Sequence, residues 1–406
     1  MGRYQTCVGD NALVPALLHL IEGDAANAAW SKTMIKGTTD PRFAALRDAF
    51  AGCFADGLEH GGAVAVVANG KLVADLWGGH ADAARTQDWQ PDTLVNVWSA
   101  TKGVVALAVA MLVERGKLHY DRPIADLWPE FAANGKETIS LDLALSHQAG
   151  LNGLAVPMDL AGLYQWEPYV DALAAMAPLW QPGSRCVYHA LSYGHLAGEP
   201  LRRADGRRIG RFVAEEIAGP LGVPFFIGLP ASQDARVAEL IEGPKASDWV
   251  TETLNGPYPQ ACRNPMLEAT QPNDRAWRAA EIPGGNGHAN ARALATIYGA
   301  LVGGSTPLIS RATLAEATRV RFHGMDSSSN TPTAFGAGFR LLDPDFGARA
   351  SVRSFGHSGW GGAMAFADPE AGLGFAYVTN RMLGFDDSVD PRRQRMVQAV
   401  YDAAGR

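Results

Sequence analysis

One stretch constrains this chain more than any other: residues 95–115, VNVWSATKGVVALAVAMLVER. Val104, Val105, Leu107, Ala108, Met111 and Leu112 recur at helical spacing with almost no polar interruption, which predicts a helix buried on most sides. Any fold must wrap itself around such an element. At its mouth stand Ser99, Ala100, Thr101 and Lys102. Residues three apart share a helix face, so Ser99 and Lys102 are expected side by side near the N-terminus. A hydroxyl beside an amine at the positive end of a buried helix is a nucleophile with a nearby base. The plainer alternative is an N-capping serine and a solvated lysine. The rest of the chain decides between them.

A buried helix needs a large core, and 406 residues with 47% hydrophobic and 19% charged side chains can supply one. That length favours two domains, or one large domain carrying an insertion. A net charge of −7 argues against nucleic acid and against anionic membrane surfaces as partners. The longest apolar run, residues 104–113, is about half of the roughly 20 residues a bilayer span requires. Cys7, Cys53, Cys186 and Cys262 are scattered with no C-x-x-C, so reduced thiols and a cytoplasmic location are expected. No H-E-x-x-H, P-loop or helix-opening G-x-G-x-x-G occurs, so neither a metal nor a nucleotide cofactor is expected.

Residues 1–40 carry little pattern and read as a surface arm. Phe43, Leu46, Phe50, Phe54 and Leu58 then mark an amphipathic helix after Pro41. Residues 63–67 and 72–77 read as strands, and the Asn69-Gly70 between them is a strong hairpin signal. Short helical pieces are expected around residues 121–150, with further helix over 160–176 and 209–221. Residues 244–283 read as irregular loop packed by aromatics. Helices follow over 289–302 and 310–320, strands over 338–342, 354–357, 363–367 and 374–379, and a closing helix over 392–403. The order predicts an α+β protein. Its antiparallel sheet is flanked by helices and built from both chain ends, residues 40–119 and 286–406. Residues 120–285 form a mostly helical inserted domain, and 1–39 the N-terminal arm. The Ser99–Lys102 pair falls at the junction of the two parts, where small-molecule clefts usually lie.

Two further elements line up with that pair. Trp180-Gln181-Pro182-Gly183-Ser184-Arg185-Cys186-Val187-Tyr188 is a turn that delivers a tyrosine, and Gly356-His357-Ser358-Gly359-Trp360-Gly361-Gly362 is a glycine-rich strand corner. With the S-x-x-K of Ser99 and Lys102, these resemble the serine hydrolases of the β-lactamase and penicillin-binding-protein fold. The pattern is closest to the class C-like carboxylesterases known as family VIII. Leu145-Ser146-His147-Gln148-Ala149-Gly150-Leu151 is similar to the L-S-H-x-S-G-L stretch of that family. The resemblance spans about residues 61–380.

The resemblance implies a β-lactamase-like fold and an acyl-enzyme on Ser99, with Lys102 and Tyr188 as the base system. It also implies an oxyanion hole formed by the backbone N–H groups of Ser99 and Trp360. His357, Ser358, Gly359 and Trp360 then form one substrate-binding wall, and no cofactor or metal takes part. Two departures point away from an efficient β-lactamase. Tyr188-His189-Ala190 lacks the asparagine of Y-x-N, and His357 stands where K-T-G has lysine. The expected substrates are carboxylic esters with short or medium acyl groups. β-Lactam hydrolysis, D-amino-acid peptidase or amidase activity, and acyl transfer to an alcohol remain open on the same acyl-enzyme. A non-catalytic ligand-binding relative is the alternative of a different class. The natural ester and the oligomeric state are not legible.

Overall fold

The computed structural model describes residues 34–303, 306–385 and 389–406. Its frame is a fully antiparallel sheet of nine strands. In chain order these are β1 Lys36–Thr39, β2 Gly61–Ala68, β3 Lys71–Gly79, β4 Phe322–Asp326, β5 Thr331–Phe335, β6 Arg340–Leu341, β7 Phe355–Ser358, β8 Met364–Asp368 and β9 Leu373–Thr379. Across the sheet the order is β1-β3-β2-β9-β8-β7-β6-β5-β4. The hairpin β2–β3 turns at Asn69 and Gly70, both at positive φ (48° and 75°), as a type I′ connection requires. The two ends of the chain meet at the β2–β9 pairing, with Val64 opposite Tyr377.

Alternation along the central strands builds two different faces. Val64 and Val66 of β2, Met364 and Phe366 of β8, and Phe375 and Tyr377 of β9 point one way. They pack under α1 (Ala44–Ala55) and the C-terminal helix, Pro391–Ala403. The opposite face carries Ala63, Ala65, Ala365, Ala367 and Ala376. Those small side chains let the helix Ala291–Val302 approach closely: a Cβ on Gly374 of β9 would lie 2.4 Å from the Gly299 backbone nitrogen. The apolar helix of the sequence, α2 (Thr101–Glu114), is buried at every position from Thr101 to Leu112 and packs into this second core.

The remaining expectations meet the structure unevenly. Most of the arm, residues 1–33, lies outside the described residues, while Lys36–Thr39 is an edge strand on β3 rather than patternless chain. Residues 244–283 hold short helices at Asp248–Asn255, Gln260–Arg263 and Arg275–Ala279. The hairpin β4–β5 carries His323, Gly324 and Pro332, which break its alternation in the sequence. The strand expected over residues 338–342 is only Arg340–Leu341. A 14-residue helix, α3 (Ser192–Asp205), was not legible either, because Pro200 sits in its interior. An interior proline removes a helix hydrogen bond and crowds the preceding turn. Burial of Tyr193, Leu196, Ala197 and Leu201 offsets that cost.

Candidate active site

Ser99 is presented by a strained turn. The two-residue strand Val95–Asn96 pairs with His288–Ala289, which pairs in turn with Phe225–Phe226, and this small sheet anchors the approach. Trp98 then adopts φ 45°, a left-handed conformation that costs a bulky residue of order 1–3 kcal/mol. Its ring is wedged between Trp277 and Trp360, with centroids 5.3 and 4.8 Å away. Helix α2 itself starts at Thr101, so Ser99 lies in the turn before it and not on its first turn. The Lys102 N–H donates to the Ser99 carbonyl at 3.0 Å and ties that turn to the helix.

Lys102 is completely buried. Its Nζ lies 2.7 Å from the Ala190 carbonyl, 2.6 Å from the Gly284 carbonyl and 3.0 Å from Ser99 Oγ. No carboxylate among the described residues pairs with it, and burial drives its pKa well below 10.5, toward the neutral amine. Carbonyl oxygens only accept, so Ala190 and Gly284 each take one N–H. A neutral amine then has one tetrahedral direction left, holding its lone pair, and that direction is Ser99 Oγ. The arrangement can therefore draw a proton from the serine hydroxyl.

Tyr188 completes the group. Lys102 Nζ stands 4.9 Å from its ring centroid, and its phenol is close enough to Ser99 for the serine side chain to favour its ionised form. Burial pushes this phenol up from 10.0, while Ser99 and the charge of Arg340 pull it down, so it rests protonated at neutral pH. His147, at φ 62°, holds Tyr188 from both sides in sequence. The His147 carbonyl accepts from Val187 N at 3.1 Å, its Nδ1 accepts from His189 N at 3.0 Å, and its ring packs 4.7 Å from the tyrosine. His189 and His195 are engaged by the surrounding protein. His189 donates from Nδ1 to the Val187 carbonyl and accepts at Nε2 from Leu151 N. His195 packs between Trp166 and Tyr169.

The glycine-rich corner joins β7 to β8. Gly359 presses on the turn that carries Ser99: a Cβ there would sit 2.2 Å from the Val97 carbonyl oxygen, so no side chain fits. The Trp360 N–H donates to no protein acceptor among the described residues. Its ring donates from Nε1 to the Ala246 carbonyl at 2.6 Å. His357 is buried, donates from Nδ1 to the Ser358 carbonyl, and is held neutral by burial beside Lys102 and Arg340. Arg340 on β6, a residue that sequence reasoning missed, brings positive charge to the cleft wall beside Ser358. It reaches Ser358 Oγ at 3.3 Å and pairs with Asp343 at 3.1 Å. A lone arginine in an otherwise apolar strand was the available signal, but its destination depends on β6 pairing with β7.

Ser99, Tyr188, Arg340, His357 and the Gly359–Trp360 corner line a cleft of about 520 Å³. Its lining includes the apolar Trp98, Trp249, Leu267 and Trp360 and the polar Asp326, Thr333 and Arg340. Among the described residues no cluster of three or more His, Cys, Asp or Glu side chains is poised for a metal ion. None of their helices is long and apolar enough to cross a membrane.

Comparison with known proteins points the same way. Residues 46–399 match the beta-lactamase family. An esterase/beta-lactamase of Mycobacterium tuberculosis, LipL, is 35% identical over 365 residues, 86% of this chain and 83% of its own. The crystal structure of a family VIII carboxylesterase superposes with a TM-score of 0.84 at 41% identity, covering 91% of this chain and 99% of that one. A penicillin-binding-protein homologue from Caulobacter crescentus superposes at 0.83 with 42% identity over the same shares.

Proposed function

The chain belongs to the beta-lactamase family as a serine hydrolase, and from that premise we propose that it hydrolyses carboxylic esters through an acyl-enzyme on Ser99. The observation that carries this reading is the Lys102 amine, with both N–H groups engaged by carbonyls and its free direction on Ser99 Oγ. Ser99 Oγ attacks the ester carbonyl carbon as its proton passes to Lys102 Nζ. The carbonyl π pair moves onto oxygen, which the N–H groups of Ser99 and Trp360 receive. Collapse of this intermediate breaks the C–O bond to the alcohol, and the departing alkoxide takes a proton by way of Tyr188 from Lys102. Water then repeats the sequence on the acyl-enzyme, giving its proton to the same pair and releasing the acid. Trp98, Trp249, Leu267 and Trp360 suit short or medium acyl chains. The buried free thiols Cys53, Cys186 and Cys262 accord with a cytoplasmic location.

Intact-mass analysis after treatment with a fluorophosphonate tests the nucleophile. A single adduct on Ser99 is expected, absent from Ser99→Ala. Folded protein that takes no adduct would overturn the reading. Rates on a short-chain ester and a chromogenic cephalosporin then set the substrate class: the ester is expected to be faster, and a cephalosporin rate equal to it or above would make the protein a β-lactam hydrolase.

A further inference from the structure

Two consecutive arginines open the C-terminal helix, Pro391–Ala403, and both are turned inward. Arg392 is fully buried and Arg393 nearly so. Cations are disfavoured at a helix N-terminus, where the backbone dipole is positive. Asp390 at the N-cap answers part of that, pairing with Arg392 at 2.7 Å, and Glu59 lies 3.0 Å from the same guanidinium. Arg393 pairs with Asp345. Arg392 Nη1 also donates to the Arg381 carbonyl at 2.9 Å, while its Nη2 and the other donors of Arg393 reach one short piece of backbone. Arg393 Nε donates to the Gly362 carbonyl at 2.7 Å, and its Nη2 to the Gly359 carbonyl at 2.9 Å and the Ala363 carbonyl at 3.3 Å. Arg392 Nη2 donates to the Gly361 carbonyl at 2.8 Å. The strand corner between β7 and β8 is thus held through its own carbonyls, of which that of Gly359 also accepts from the Gly362 N–H at 3.3 Å.

The Gly359 carbonyl and the Trp360 N–H belong to the same peptide group. A trans peptide is planar, with C=O and N–H pointing in opposite directions. Fixing the Gly359 oxygen toward Arg393 therefore fixes the Trp360 N–H in the opposite direction, toward the cleft. A cationic donor on that carbonyl also polarises the peptide and strengthens the N–H as a donor. We propose that Arg393, supported by Arg392, is a positioning residue that aims and polarises the Trp360 N–H for the oxyanion. Neither arginine touches the ester; both act through the peptide in front of them. Arg393 borders the cleft, and its Nε, Nη1 and Nη2 are each engaged by the protein. The proposal rests on the oxyanion role given to the Trp360 N–H above.

The test uses a matched pair of substrates, an ester and its thionoester, with the wild type, Arg393→Lys and Arg393→Gln. Sulfur is a weak hydrogen-bond acceptor, so a thionoester gains little from oxyanion donors, and the wild type is expected to prefer the oxygen ester at least 100-fold in kcat/KM. Lysine keeps the charge beside Asp345 but cannot span the Gly359 and Gly362 carbonyls. Arg393→Lys is expected to lower kcat on the oxygen ester about 30-fold or more with KM within threefold. The preference over the thionoester should shrink at least tenfold, and Arg393→Gln should behave alike. Equal losses on both substrates, or no loss, would overturn the proposal. So would loss of the folded state in both variants, judged by circular dichroism, because the guanidinium would then be holding the fold rather than the donor. A wild type with no ester hydrolysis, or with no preference for oxygen over sulfur, refutes the underlying oxyanion reading whatever the variants do.

Discussion

At the scale of single residues, the most exposed claim concerns Lys102. General-base work needs its neutral form, whose fraction rises with pH through the folded-state pKa, and burial has moved that pKa well below 10.5. The groups around it are Tyr188, Tyr193, His147, His189 and His357. The histidines are held neutral by burial and both tyrosines stay protonated, while the charge of Arg340 is felt by Tyr188 and His357. On an ester with no ionisable group, kcat/KM is expected to rise from acid pH and level off well below 10.5. A profile still climbing at about pH 10 would count against the neutral amine. Lys102→Arg cannot become neutral and should lose about 10³-fold or more in kcat. The proximity of Ser99 and Lys102 was legible from their spacing, and Tyr188 was brought to them by the family resemblance. Arg340 and Arg393 were not legible. Each reaches the site through a pairing or a packing contact that no local pattern announces.

Among the elements, α2 was the easiest to read and is the one on which most depends. Its Leu112 is fully buried in the main core. Leu112→Ala should cost about 2–5 kcal/mol, read as a fall in denaturation midpoint, since the cavity can collapse only partly between rigid neighbours. A loss under about 1 kcal/mol would mean that the helix is less tightly packed than described. Helix α3 shows the limit of pattern reading. Pro200 argues locally against a helix, and only the tertiary burial of Tyr193 and Leu196 overrules it. The hairpin β4–β5 fails for the opposite reason: its residues have little strand character and pair because the edge of the sheet is there to receive them.

For the molecule as a whole, burial has consequences for acid. His189 is pushed down to about 4, and His195 and His288 to about 3, each by loss of solvent. Between those values and the 6.5 of the unfolded chain, the unfolded state binds more protons, so stability rises with pH through that window and is flat above it. Acidifying from pH 7 to 5 should therefore remove about 2 kcal/mol for each histidine. Glu59, pushed up to about 7 by burial, has the reverse slope and offsets part of this. A clear fall in melting temperature between pH 7 and 5 is expected, shallower in His195→Phe; a flat response would overturn the account. The antiparallel sheet with strands from both chain ends was foreseeable from element order, whereas its strand sequence was not, because the order depends on which edges meet in space. The β2–β9 pairing sets a timetable as well. The ribosome releases Ser99 and Lys102 early, but the Trp360 corner emerges roughly 260 residues later and the arginines that hold it roughly 290, on the order of 15–60 s at about 5–20 residues per second. The growing chain carries its nucleophile unarmed throughout synthesis, and the reactive serine is assembled only when the last helix closes over the sheet.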